Sequence, residues 1–182
     1  MKAAELFVRC LENEGVEYIF GIPGEENLDV MDALLDSNIQ FITTRHEQGA
    51  AFMADVYGRL TGRAGVCMST LGPGATNLIT GVADANMDHA PLVAIAGQAD
   101  THRLHKESHQ VLDLEELFRS FTKFSSRILV PEIITEVTRK AFNVAQTEKT
   151  GACLSSSPRT SPKWKSTTCR CESNTPACLN PR

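Results

Sequence analysis

The sequence predicts an α/β domain built on a parallel, doubly wound sheet with helices on both faces. Three observations predict it. Apolar stretches of strand length alternate with helical patterns of about 10–15 residues, the order that builds βαβ units. The run Leu92-Val93-Ala94-Ile95-Ala96 lacks polar alternation, as a strand buried on both faces requires. At Gly72-Pro73-Gly74 a Gly-rich turn joins a strand candidate to a helix start, the junction at which open α/β sheets bind ligands.

The elements follow in order. Residues 3–14 carry an amphipathic helical pattern that opens directly at Met1, without an apolar signal core. Residues 18–20 read as a short strand, 21–25 as a loop and 27–36 as a helix. A strand over 39–43 runs through Thr44-Arg45-His46 into a helix over 49–61, and a strand over 65–69 leads through a loop to a helix over 76–87. A strand over 91–96, an irregular stretch over 98–110, a helix around 112–118 and a last helix over 131–148 complete the pattern.

Composition narrows the function classes. The chain has 182 residues, long enough for one domain with a substantial core. Its formal charge of −4 offers no basic footprint for nucleic acid. No apolar run approaches the ~20 residues of a membrane span, so neither a membrane nor a nucleic acid is expected as partner, and a cytoplasmic location is expected.

Glu47 is the first candidate functional residue. A carboxylate at the carboxyl end of a strand and the amino end of a helix sits where ligands bind, although an ordinary first-turn acid stabilised by the helix dipole occupies the same place. The segment Ser69-Thr70-Leu71-Gly72-Pro73-Gly74-Ala75-Thr76-Asn77 has the geometry of an anion cradle, but it departs from both nucleotide fingerprints. Asn77 stands where the third Gly of G-x-G-x-x-G belongs, Pro73 removes an N–H, and the Walker Lys and Ser/Thr are missing. His46 is expected in a structural or rim role. His105 and His109 have the i, i+4 spacing of a metal pair, without a helical apolar period or a third ligand. Cys10 and Cys67 lie in apolar patterns and read as core thiols.

Glu47 and residues 69–77, in this order and spacing, resemble the pyrimidine-binding domain of thiamine diphosphate enzymes of the acetolactate synthase family. Three further stretches match: Phe20-Gly21-Ile22-Pro23-Gly24, Ala94-Ile95-Ala96-Gly97, and His109-Gln110-Val111-Leu112-Asp113 with Phe118-Arg119 and Thr122-Lys123. The resemblance runs from about residue 3 to 153, and its last block looks most like the catabolic, flavin-independent synthases. It implies that Glu47 is catalytic, holding the N1′ nitrogen of the cofactor's pyrimidine with a carboxylate whose pKa a dry cleft would raise. It also implies that Gly24, Glu47, Gly72, Pro73, Gly74 and Asn77 bind the pyrimidine end and that Gln110 faces substrate. The implied substrate is pyruvate, two molecules of which condense to 2-acetolactate with loss of carbon dioxide, in a homodimer or tetramer. Magnesium would be held through a diphosphate-binding domain carrying Gly-Asp-Gly, a motif this chain lacks. Flavin is not expected. The alternatives are a carboligase or decarboxylase acting on glyoxylate or oxalyl-coenzyme A, and a non-catalytic interaction domain that pairs with a full-length homologue.

The character of the chain changes near Cys153. Residues 154–182 are rich in Ser, Thr, Pro, Lys and Arg, and Cys169, Cys171 and Cys178 lack the paired C-x-x-C spacing of a zinc site. Loss of one nucleotide from codons for Cys-Phe-Ile-Glu-Leu-Pro-Glu-Asp-Val, the kind of run the family carries here, can yield Cys-Leu-Ser-Ser-Ser-Pro-Arg-Thr-Ser, the sequence at 153–161. The expectation is therefore a pyrimidine-binding domain over 1–153 that lacks its last strand, followed by a frameshifted, disordered tail over 154–182. The chain is expected to be inactive alone.

Overall fold

The computed structural model describes residues 1–100, 103, 106 and 108–158. The chain forms α1 (Ala3–Asn13), β1 (Tyr18–Gly21), α2 (Leu28–Leu34), β2 (Gln40–Thr43), α3 (Glu47–Thr61), β3 (Gly65–Ser69), α4 (Pro73–Met87), β4 (Leu92–Gln98), α5 (Leu114–Phe118), β5 (Phe124–Arg127), α6 (Ile134–Gln146) and β6 (Ala152–Pro158). Among the described residues the sheet has six strands in the order β2-β1-β3-β4-β6-β5, and every pairing is parallel. From β1 the chain moves outward to β2, then returns to the other side of β1 as β3. The winding direction therefore reverses between β1 and β3.

Alternate strand residues feed two cores. Ile19, Val66, Met68, Val93, Ile95 and Cys153 meet Leu6, Phe7 and Leu11 of α1, Val30 and Leu34 of α2, and Val137 and Phe142 of α6. Phe20, Cys67, Ala94, Ala96 and Leu154 face Ala50, Ala51 and Ala54 of α3, Leu78 and Val82 of α4, and Leu114 and Phe118 of α5. Parallel strands covered on both sides have few exposed positions, which is why all five residues of β3 and all seven of β4 are buried. The second core is built from small side chains, so α3 and α4 pack closely; a Cβ at Gly81 would lie 2.6 Å from Ala51 Cβ. Arg59 of α3 fastens the pair by bonding Asp55 at 2.9 Å, Asp84 at 2.9 Å and Asp88 at 2.6 Å.

Two helices start earlier than the sequence expectation. α3 begins at Glu47, two residues early, because His46 caps it: its Nδ1 accepts from the Gln48 N–H at 3.2 Å. α4 begins at Pro73, three residues early, because proline at the first helical position has its φ preset and no N–H to leave unpaired. The Gly-Pro-Gly stretch is thus one turn residue and a helix start rather than an extended loop. β5 was not anticipated. Its sequence, Phe-Ser-Ser-Arg, has one apolar residue and half-buried positions throughout, so it carries no strand periodicity.

The expected absence of the last strand is corrected. β6 lies between β4 and β5, in register from Leu92 opposite Ala152 to Gln98 opposite Pro158, and from Phe124 opposite Cys153 to Arg127 opposite Ser156. Backbone pairing on two sides does not depend on side-chain polarity, so serines can fill the position. Ser155 and Ser156 are nevertheless buried with hydroxyls that find no partner among the described residues. Residues 159–182, where most of the proposed disordered tail falls, lie outside the described residues.

Two outcomes are expected. A buried hydroxyl without a partner costs about 1–3 kcal/mol. The S155A/S156A double variant should therefore raise stability by roughly that amount for each hydroxyl removed, read as a higher urea midpoint; a lower midpoint would show that the hydroxyls are paired. Burial pushes the Cys67 and Cys153 thiols up to about 12. Since the thiolate is the reactive form, iodoacetamide at pH 8 should spare both cysteines until denaturant is added. Rapid native labelling of Cys153 would mean that β6 is not in the sheet.

Candidate functional site

The carboxyl ends of the parallel strands carry the candidate residues to one place. At a reversal of winding direction the loops after the two flanking strands turn opposite ways and leave a crevice between them. Here the flanking strands are β1, followed by residues 22–27, and β3, followed by residues 70–72. β2 delivers Glu47 beside them through a short link in which the Thr44 N–H donates to the Gly21 carbonyl at 2.9 Å.

Glu47 is half-buried at the first position of α3. Its Oε2 accepts from Asn77 Nδ2 of α4 at 3.0 Å, so one carboxylate joins the starts of two helices whose dipoles both favour negative charge there. Among the described residues Oε1 takes no hydrogen bond and is free to accept one from a ligand. Gly74 lies against it: a Cβ there would sit 3.3 Å from Glu47 Oε1 and 3.0 Å from Thr70 Cγ2. Gly24 completes this wall, since a Cβ on it would come within 2.5 Å of Thr70 Cβ. Its N–H is held by Asn27 Oδ1 at 2.8 Å.

Gly72 and Gln110 form the next contact. Gly72 has φ 55°, a region that residues with a Cβ resist, and an added Cβ would lie 2.6 Å from the Gln110 carbonyl oxygen. Gln110 is itself exposed with φ 59°. Its loop is fastened from below by Gln98, fully buried at the end of β4, whose Nε2 donates to the Leu112 carbonyl at 2.8 Å. Arg127 holds the far end of the same loop through Asp113 at 2.8 Å.

The structure therefore brings Gly24, Glu47, Gly72, Gly74, Asn77 and Gln110 together. Pro73 is exposed at the start of α4 and contributes shape rather than a donor. The anion-cradle alternative loses ground, because the Gly74 N–H is used by the Leu71 carbonyl at 3.2 Å. His46 is a helix cap. Among the described residues no three His, Cys, Asp or Glu side chains converge to hold a metal ion. His105 lies outside the described residues, so the proposed pair with His109 does too. Three residues of the site, Glu26, Thr70 and Gln98, were assigned no role from sequence; Thr70 lies inside a recognised motif and the others beside one, but side chains that support a site have no spacing signature of their own.

The donor set suits an aminopyrimidine. A carboxylate with one oxygen fixed and one open can accept from a protonated ring nitrogen, and glycine at 24 and 74 lets Thr70 pack close behind that carboxylate. No helix among the described residues is long and apolar enough to cross a membrane.

Comparison with known proteins agrees. Residues 1–117 match the family model described as thiamine pyrophosphate enzyme, N-terminal TPP binding domain. The chain is 48% identical over 151 residues to the "Probable acetolactate synthase large subunit" of Methanocaldococcus jannaschii, covering 83% of this chain and 26% of that one. It is 44% identical over 158 residues to the acetolactate synthase of Bacillus subtilis, covering 87% and 28%. Identity to the catabolic acetolactate synthase of Raoultella terrigena is 42% over 156 residues, covering 86% and 28%. The chain thus spans about a quarter of the length of these relatives. It belongs to the thiamine pyrophosphate enzymes, and its fold is their N-terminal cofactor-binding domain.

Proposed function

We propose that this chain supplies the pyrimidine-binding half of an acetolactate synthase active site. The observation that carries the reading is Glu47, with Oε2 fixed by Asn77 and Oε1 open at the crevice between β1 and β3. When bound, thiamine diphosphate supplies the nucleophilic carbon and electron sink for decarboxylation of a 2-keto acid. Glu47 would accept a hydrogen bond from the pyrimidine N1′ and would stabilise the ring in its protonated form. Gly24 and Gly74 let Thr70 pack behind the carboxylate, and Asn77 keeps it aimed. Gln110 stands at the mouth, where it can meet the carboxylate of pyruvate.

The diphosphate and its magnesium would be held by a domain outside this chain, in a partner subunit of a homodimer or tetramer. Chemistry thus needs both halves, and the reading involves no flavin. The name of the catabolic acetolactate synthase of Raoultella terrigena supports 2-acetolactate as the product.

The polar strand β6 supports the shifted reading frame as well. Ser155 buries a hydroxyl without a partner among the described residues, at the position where the unshifted run would carry an apolar side chain. Sequencing the DNA around codon 154 should reveal, one frame away, a run encoding apolar-Glu-Leu-Pro and further on Gly-Asp-Gly. Its absence would leave the serines as the native strand.

Binding tests the main reading directly. Thiamine diphosphate titrated into the 182-residue chain should show saturation transfer to its pyrimidine protons. Glu47→Ala should weaken binding by roughly tenfold or more, the scale of one hydrogen bond to a charged group. With pyruvate and magnesium added, the chain alone should make no acetolactate. Unchanged affinity in Glu47→Ala, or product from the isolated chain, contradicts the assignment.

A further inference from the structure

A side-chain hydrogen bond, from Thr70 Oγ1 to Glu26 Oε2 at 3.1 Å, joins the loops that flank the crevice. Thr70 is half-buried and packs on three glycines. A Cβ at Gly24 would lie 2.5 Å from Thr70 Cβ, one at Gly74 3.0 Å from its methyl, and one at Gly97 3.4 Å from its Cα. Glu26 is fixed in turn, because a Cβ at Gly97 would approach Glu26 Cβ to 3.1 Å, and the adjacent Asn27 is buried and holds the Gly24 N–H.

The chemistry of threonine makes this bond directional. Hydroxyl and methyl sit on one stiff χ1, so the hydrogen bond to Glu26 also decides where the methyl points. In the observed rotamer the methyl lies beside Gly74, and Gly74 lies beside Glu47 Oε1. Losing the bond unties the two loops and frees the Thr70 side chain to change rotamer, which loosens the wall behind Glu47.

We propose that Thr70 and Glu26 are positioning residues, a hydroxyl–carboxylate latch that closes the β1 loop onto the β3 loop and fixes the aim of Glu47 through Gly74. The inference rests on the reading of Glu47 as the carboxylate that meets the pyrimidine ring. Neither latch residue contacts the ring; both act through the glycine wall.

The test uses the full chain, isotopically labelled, with the variants Thr70→Val, Glu26→Ala, Glu26→Gln and the Thr70→Val/Glu26→Ala double. Valine keeps the volume of threonine and removes the donor; glutamine keeps an acceptor. The readouts are the Glu47 carboxyl carbon resonance, the Gly24 and Gly74 amide resonances, the urea midpoint and the dissociation constant for thiamine diphosphate. Thr70→Val and Glu26→Ala should shift the same resonances with little change in midpoint. Each should weaken the cofactor by about fivefold, the scale of one hydrogen bond. Glu26→Gln should remain near wild type, and the double variant should match the singles. Unmoved Glu47 and Gly74 resonances in Glu26→Ala, or effects that add in the double variant, overturn the latch, and the Glu26 variants decide this even if Thr70→Val does not fold. Failure of wild-type chain to bind the cofactor, with the resonances still shifting together, rejects the reading of Glu47 and retains the latch.

Discussion

Reversal of the winding direction between β1 and β3 is the constraint on which the site depends. It opens a gap between two loops that a singly wound sheet would close with a crossover. α3 and α4 both begin at this gap, so their positive ends converge on Glu47. The Asn77–Glu47 hydrogen bond can form because the two helices run side by side at close range, which the small residues Ala51 and Gly81 allow. Small residues in the second core are thus part of the site's geometry: a larger side chain at position 81 would separate the helix starts and break the carboxylate's anchor.

Much of this was legible in the sequence. The apolar strands β3 and β4 announced a buried parallel sheet, and Glu47 and Gly72 to Asn77 could be placed at strand ends from turn chemistry alone. Pro73 and His46 extended their helices beyond the predicted starts, since capping depends on side-chain geometry that spacing does not encode. β5 was illegible because Ser125, Ser126 and Arg127 carry no apolar period; it is a strand because β6 offers a free edge. Glu26, Thr70 and Gln98 were missed for a related reason. They act across loops separated by 14 to 44 positions in the chain, and only the fold brings such pairs together.

β6 shows how backbone and side chain can disagree. Its main chain pairs on both sides with β4 and β5, while its side chains pass from buried Cys153 and Leu154 to the orphan hydroxyls of Ser155 and Ser156. Ladder hydrogen bonds and two flanking layers hold the strand in place at the cost of unsatisfied polar atoms. Reading polarity alone gives a tail; counting the sheet's open position gives a strand.

The central claim is that the crevice between β1 and β3, with Glu47 at its wall, receives the aminopyrimidine ring. An amide-shift map of the isotopically labelled chain during titration with thiamine diphosphate addresses it most directly. The account predicts perturbations concentrated at Gly24, Glu47, Gly74 and Asn77. Perturbations centred instead on another surface, such as the charged groove between α1 and α2 around Lys2 and Arg9, with Gly24, Glu47, Gly74 and Asn77 unmoved, would contradict it.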